Sequence, residues 1–127
     1  MTTNQEFSEQ LRQRTFNISV RVTKLVQALP NNTIGWKLGD QILRSGTAIG
    51  ALTEEACVGL SYKDFIHGMG MARKEAYETR FWIRVIIAVG IFDKKRLDNL
   101  LNEIEEIAKI LSSIVKTGND KLGKSQQ

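Results

Sequence analysis

Apolar residues recur at helical spacing through most of the chain, and this periodicity restricts the fold to an all-α architecture. In the first stretch they fall three, four or seven positions apart, at Phe7, Leu11, Ile18, Val22, Leu25, Val26 and Leu29. That spacing aligns them along one stripe of a 3.6-residue helix. No segment shows the two-residue period of a strand. The sequence therefore predicts amphipathic helices, each of which must bury one face.

Proline and glycine residues divide this pattern into four helices. Pro30, Gly59 and Gly90 interrupt the apolar series, because these residue types break helices or end them. We predict helices over about residues 5–29, 34–57, 62–89 and 94–117. The connections between them are short, which favours an antiparallel up-and-down four-helix bundle as a single domain over residues 1–117. Residues 118–127 are polar and lack an apolar period, so we predict a flexible tail there.

Composition limits the classes of protein to which the chain can belong. A formal charge of +4 and a pI of about 9.4 favour polyanionic partners. No run approaches the roughly 20 uncharged apolar residues of a membrane span, so no membrane association is expected. The N-terminal stretch lacks the basic and then apolar order of a secretory signal. We therefore expect a cytoplasmic protein.

Residues able to perform chemistry are scarce. Cys57 is the only cysteine and His67 the only histidine, which leaves no internal disulfide and no multi-cysteine zinc site. The two lie on different predicted helices without a third group to orient them, so nucleophilic catalysis is not expected. The prediction is a protein that is not an enzyme and that binds no metal and no cofactor.

Two basic stripes follow the helical period. The stripe on the third helix comprises Arg73, Tyr77, Arg80 and Arg84, and the stripe on the first comprises Arg14, Asn17, Arg21 and Lys24. A planar guanidinium can donate to two phosphate oxygens at once, and a nearby ring can stack on an unpaired base. Glu75 and Glu78 on the third helix offer carboxylates instead. Nucleic-acid binding and intersubunit or intrahelical ion pairing both remain open at this point.

Small and aromatic residues indicate close contacts. Gly46 and Gly50 lack side chains, so another backbone can approach the second helix, either within the bundle or from another subunit. We place Arg44 in the same region of close packing or subunit contact. Phe81 and Trp82 are adjacent and point about 100° apart on a helix, so both cannot enter one core seam. One of the two rings is expected at a subunit interface.

Three segments resemble a known family. They are residues 41–56 (QILRSGTAIGALTEEA), 64–65 (DF) and 74–84 (KEAYETRFWIR). Together they resemble the bacterial four-helix-bundle proteins that include products of intervening sequences in large-subunit ribosomal RNA genes. The resemblance covers about residues 5–117. The chain departs from the family pattern at Ala48, where a serine is usual, and at Leu52, where an asparagine is usual.

This resemblance implies a small cytoplasmic homopentamer of antiparallel bundles, without established catalysis and with a suspected role on structured RNA. Accessory proteins of diversity-generating retroelements look like distant relatives, and their pentamer serves a reverse transcriptase and its nucleic acids. Two hypotheses follow. The first is a homo-oligomeric scaffold that binds structured RNA or a ribonucleoprotein through its basic stripes. The second is an accessory subunit that docks on a larger protein, for example a reverse transcriptase.

Overall fold

The computed structural model describes residues 4–125, which form four helices joined by short connections. The helices are α1 Asn4–Gln27, α2 Thr33–Cys57, α3 Tyr62–Ala88 and α4 Lys94–Ser125. Each helix packs against the next one along the chain, and α1 and α4 close the bundle as its least closely packed neighbouring pair. The predicted all-α, antiparallel up-and-down four-helix bundle is therefore confirmed.

Local hydrogen bonds and one glycine set the helix ends. The Asn32 side chain accepts from the Gly35 N–H at 2.9 Å, and the Ser61 hydroxyl accepts from the Asp64 N–H at 3.1 Å. These two caps begin α2 and α3, because the first backbone N–H groups of a helix have no partner within it. Gly90 has a φ of 79°, a left-handed conformation that glycine adopts without steric cost and that ends α3.

The core is a stack of aliphatic side chains between the four helices. Every helix supplies at least one isoleucine with no exposed surface, namely Ile18, Ile42, Ile83 and Ile104. Full burial of one such side chain contributes about 1.5–3 kcal/mol relative to exposure. A hydroxyl pair also lies inside, where Thr79 Oγ1 is 2.8 Å from both Ser45 Oγ and the Glu75 carbonyl oxygen. Hydrogen bonding offsets the cost of burying these polar groups.

The C-terminal prediction is wrong for most of its length, because α4 continues to Ser125 instead of ending near residue 117. Gly118 is buried, and any side chain there would overlap the buried Ile66 of α3. The two helices can pack here because Gly118 has no side chain. The spacing of apolar residues cannot indicate such a contact. Residues 126–127 of the predicted flexible tail lie outside the described residues.

Candidate nucleic-acid interface

The stripe on α3 lies along the seam between α3 and α4. Arg73 Nε donates to Ser112 Oγ of α4 at 2.7 Å, and the Arg73 guanidinium lies over the Tyr77 ring, 5.1 Å from its centroid. The Tyr77 side chain is exposed. Since serine is neutral, the hydrogen bond orients Arg73 and leaves its positive charge available. An exposed ring and a guanidinium therefore lie side by side, as their spacing predicted.

The other two arginines of the stripe differ in their surroundings. Arg80 Nε lies 3.5 Å from Glu105 Oε1 of α4, with both side chains about one third exposed. Arg84, one turn further along, is exposed and has no carboxylate within ion-pair distance among residues 4–125. The stripe thus carries two guanidinium groups without a carboxylate partner, one on either side of a paired arginine.

Arg14 of the α1 stripe is committed to structure. Its guanidinium contacts Glu103 at 2.6 and 3.1 Å and Glu106 at 3.1 Å, and both acids belong to α4. The hydrogen bond with Glu103, opposed by partial burial and reinforced by Glu106, raises the pKa of the Arg14 guanidinium above its ordinary value. These bonds bridge α1 and α4, where the helix packing is loosest.

Among the other residues of the α1 stripe, Arg21 also contacts α4. Arg21 Nη2 donates to Asn99 Oδ1 of α4 at 2.8 Å. Asn17 accepts from Gln13 within α1 at 3.0 Å, and Lys24 is exposed. Within residues 4–125, each stripe therefore has one ion-paired arginine and two cations without a carboxylate partner. The α3 stripe differs in that an exposed ring, Tyr77, lies against one of its unpaired guanidinium groups.

The acids that were expected to pair on α3 or across subunits instead face α2. Arg44 Nη1 lies 3.2 Å from a Glu75 oxygen, and Arg44 Nη2 pairs with Glu78. The hydrogen bond with Glu78, followed by that with Glu75, raises the Arg44 pKa. Arg44 is exposed, so it joins α2 to α3 at the surface of one chain. Because both acids are held there, neither neutralises the arginines of the α3 stripe.

Gly46 and Gly50 lie at the contact between α2 and α1 inside the chain. A Cβ on Gly46 would lie 2.5 Å from Val22 Cγ1, and a Cβ on Gly50 would lie 2.9 Å from Ser19 Oγ. The Ser19 hydroxyl also donates to the Gly46 carbonyl oxygen at 3.2 Å. Of the two interpretations left open by the sequence, the described contacts are those of close packing within the bundle.

The adjacent aromatic rings separate as their helical positions require. Trp82 is partly buried against the core, and its indole N–H donates to Glu78 at 3.2 Å. Phe81 is 52% exposed, and its ring packs edge-on against Trp82 with the centroids 5.0 Å apart. Of these two adjacent rings, the exposed Phe81 is therefore the one that another molecule can contact.

Sequence reasoning missed three further groups on α3, namely Lys63, His67 and Lys74. They line a cleft between the N-terminal half of α3 and the C-terminal turns of α4, and Arg73 lines it too. The cleft exists because α4 continues beyond residue 117. The seven-residue spacing from His67 to Lys74 was the signal that could have placed these two on one helical face.

Elsewhere the chemistry remains sparse. Among residues 4–125, no three histidine, cysteine, aspartate or glutamate side chains are grouped so that they could hold a metal ion. The partly buried Cys57 accepts a hydrogen bond from the Ser8 hydroxyl at 3.3 Å. No helix within the described part of the chain is long and apolar enough to cross a membrane.

Fold and surface together define a small all-α bundle with two basic stripes, of which the one on α3 combines an exposed ring with arginines that have no ion-pair partner among residues 4–125. Residues 8–113 match the model of the 23S rRNA-intervening sequence protein family, and the chain belongs to that family. It is also similar to a solved protein of unknown function from the S23 ribosomal protein family of Bacteroides thetaiotaomicron. The two share 35% identity over 84% of this chain and 98% of the other, with a TM-score of 0.78. No curated protein matches the chain significantly.

Proposed function

We propose that this protein is a non-catalytic, homo-oligomeric scaffold that binds structured RNA or a ribonucleoprotein through the α3 stripe. The supporting observation is that Arg73 and Arg84 have no carboxylate partner among residues 4–125 and that Arg73 lies against the exposed Tyr77 ring. Each guanidinium group can bind two phosphate oxygens at once, and its affinity for phosphate is greatest where no neighbouring carboxylate competes for it. The membership of the chain in a family named for ribosomal RNA intervening sequences agrees with this ligand.

Self-association is the second part of the proposal, and a pentamer is the assembly that the family resemblance implies. Three aromatic side chains support it, because Phe16, Trp36 and Phe81 are each more than half exposed. Aromatic side chains are enriched in protein interfaces, so these exposed rings are candidates for subunit contacts. Sedimentation velocity at micromolar protein should give a mass about five times the 14.3 kDa chain. A monomer at that concentration contradicts this part.

RNA binding is tested by the salt dependence of the affinity. For wild-type protein, the logarithm of the association constant should fall linearly with the logarithm of the salt concentration, as phosphate contacts release counterions. Arg84→Gln should flatten that slope by about 0.7–0.9 for each phosphate that the variant no longer neutralises. Symmetry repeats the substitution in every subunit, so the total change should be larger if several subunits contact one RNA.

The control is Arg21→Gln, which makes the same chemical change in the α1 stripe, a basic stripe that contains no aromatic residue and that the proposal does not place against RNA. This variant should leave the slope unchanged. If Arg21→Gln flattens the slope and Arg84→Gln does not, the α1 stripe carries the phosphate contacts. If Arg80→Gln dissociates the oligomer and leaves the slope of the residual binding unchanged, the α3 stripe is instead a subunit contact.

An accessory subunit for a larger protein, such as a reverse transcriptase, is the second candidate, and an apolar cleft favours it. The cleft measures about 570 Å³ and lies between the start of α2 and the end of α3. Ile34 and Val89 line it and are 60% and 62% exposed. If this candidate is correct, a protein partner should copurify without nucleic acid, and Ile34→Ser should abolish that copurification while leaving RNA affinity unchanged.

A further inference from the structure

A basic cleft extends the α3 stripe toward the opposite end of the helix from Arg84. It lies between the N-terminal half of α3 and the C-terminal turns of α4 and measures about 410 Å³. Its cationic and polar wall comprises Lys63, His67, Arg73 and Lys74 from α3. Within residues 4–125, no carboxylate is among the groups that line it. The cleft therefore combines a concave shape with positive charge that no lining group neutralises.

The dimensions of the cleft suit a strand of nucleic acid. Lys63 and Lys74 are eleven residues apart, which corresponds to about 16 Å along a helix axis. His67 lies one turn from Lys63 and adds a ring N–H donor between these two lysines. The opposite wall comes from α4 and includes the apolar Val115 and Leu122. Among the described residues, this wall has no carboxylate that would compete with a phosphate for the cations. This span accommodates several consecutive phosphates on one face of the protein.

Two residues link the cleft to an aromatic surface. Arg73 lines the cleft and also lies over the exposed Tyr77 ring at 5.1 Å. A strand whose phosphates follow the cleft would therefore bring a base to this ring. Stacking of that kind requires an unpaired base, because the bases of a duplex are already stacked on one another. An exposed ring at one end of a basic groove is the arrangement typical of single-strand binding.

We propose that the α3–α4 cleft binds an unpaired RNA segment, with phosphates along Lys63, His67 and Lys74 and a base on Tyr77. This inference rests on the proposed RNA-binding function, and it specifies both the ligand and a set of residues beyond the α3 stripe. Loops and single-stranded ends of a structured RNA are the segments that fit.

Gly70 provides a way to block the cleft without changing its charge. It lies in the wall between His67 and Arg73, and a Cβ there would meet no atom within 4 Å. The Cβ of a leucine at this position therefore enters open space, and we expect the bundle to remain folded. Gly70→Leu should weaken RNA binding at every salt concentration, whereas removal of a charge should change the salt slope.

The experiment measures fluorescence anisotropy of a labelled single-stranded RNA of about 12 nucleotides, long enough for one such binding site, over a range of KCl concentrations. Lys63→Gln and Lys74→Gln should each flatten the salt slope by about 0.7, the value for one phosphate of a single strand. Tyr77→Leu should weaken binding about fivefold or more and leave the slope unchanged, because it removes stacking and no charge. Lys37→Gln is the matched control, since Lys37 is an exposed lysine at the opposite end of the bundle, and it should change neither quantity.

The outcomes separate this inference from the proposed function. If both lysine variants behave like Lys37→Gln while Arg84→Gln still flattens the slope, the protein binds RNA and the cleft is not the site. Tighter binding of a duplex than of the single strand refutes the unpaired ligand. If wild-type protein shows no salt-dependent binding to either RNA, the proposed function itself is wrong. Circular dichroism of every variant should match wild type, which excludes unfolding as a cause.

Discussion

Replacing Gly46 with alanine tests the closest approach between α1 and α2. The added methyl would lie 2.5 and 2.9 Å from the two Val22 methyl carbons, which is closer than van der Waals contact allows. Valine in a helix has essentially one side-chain rotamer, so Val22 cannot rotate away. Moreover, Val22 is fully buried, and its neighbours leave it no room to shift. The two helices must therefore move apart.

The expected magnitude is a balance of two terms. Overpacking of a core typically costs about 1–3 kcal/mol, and almost the whole Val22 side chain is involved here, which favours the upper part of that range. Alanine is a better helix former than glycine by about 1 kcal/mol, which offsets part of the cost. Gly46→Ala should therefore lower the free energy of unfolding by about 1–2 kcal/mol.

Gly70→Ala is the matched control, because it makes the same substitution inside a helix with no atom within 4 Å of the new methyl. Only the helix-propensity term applies there, so the free energy of unfolding should rise by about 0.5–1 kcal/mol. Urea denaturation measures both variants, and the protein concentration must be held constant because self-association would shift the midpoint.

A double-mutant cycle identifies the cause of the effect. Val22→Ala removes the two methyl groups that the new side chain would meet, and in that background Gly46→Ala should be neutral or stabilising. If Gly46→Ala destabilises the protein equally in both backgrounds, the Val22 contact is not responsible. If Gly46→Ala stabilises the wild-type protein as much as Gly70→Ala does, the close-packing argument is refuted.

Three further predictions concern stability and are measured by urea denaturation. Arg14→Gln should lower the free energy of unfolding by about 1–2 kcal/mol, because Glu103 and Glu106 lose a partly buried partner, whereas Arg84→Gln should change it by less than about 0.5 kcal/mol. Ser45→Ala should cost about 0.5–1.5 kcal/mol, and the Ser45→Ala/Thr79→Val pair should cost less than the sum of the single changes, since both single changes remove the same hydrogen bond. A chain ending at Thr117 should be less stable by about 1–2 kcal/mol because it exposes Ile66; unchanged stability would mean that the last turns of α4 contribute nothing to packing.

Much of the fold could be predicted from sequence because local chemistry determines it. Pro30 and Gly90 interrupt the helical period for backbone reasons that hold in any context, and the capping groups lie beside the residues they cap. The last turns of α4 could not be predicted in this way. Gly118 packs by leaving space for Ile66, a residue 52 positions earlier, and no local property of the sequence shows that contact.

The candidate site was less predictable, because periodicity shows which residues share a face and not what that face meets. Arg14 and Arg73 had equivalent status in the sequence. The first meets Glu103, 89 positions away, and the second meets Ser112. Only the packed bundle shows that Arg14 is paired with carboxylates and that Arg73 is bonded to a neutral hydroxyl.

The distribution of acids on α4 explains this difference. The side of α4 that faces α1 carries Glu103 and Glu106. The side that faces α3 carries Glu105, which pairs with Arg80, and Ser112, which accepts a hydrogen bond from Arg73. The first pair binds Arg14 across the loosest seam of the bundle, whereas Arg21 of the same stripe is bonded to the neutral Asn99 of α4. The second side engages one of the three arginines of the α3 stripe in an ion pair. The sequence of α4 therefore determines which arginines of the two stripes are ion-paired within the chain and which retain a positive charge that a polyanion can neutralise.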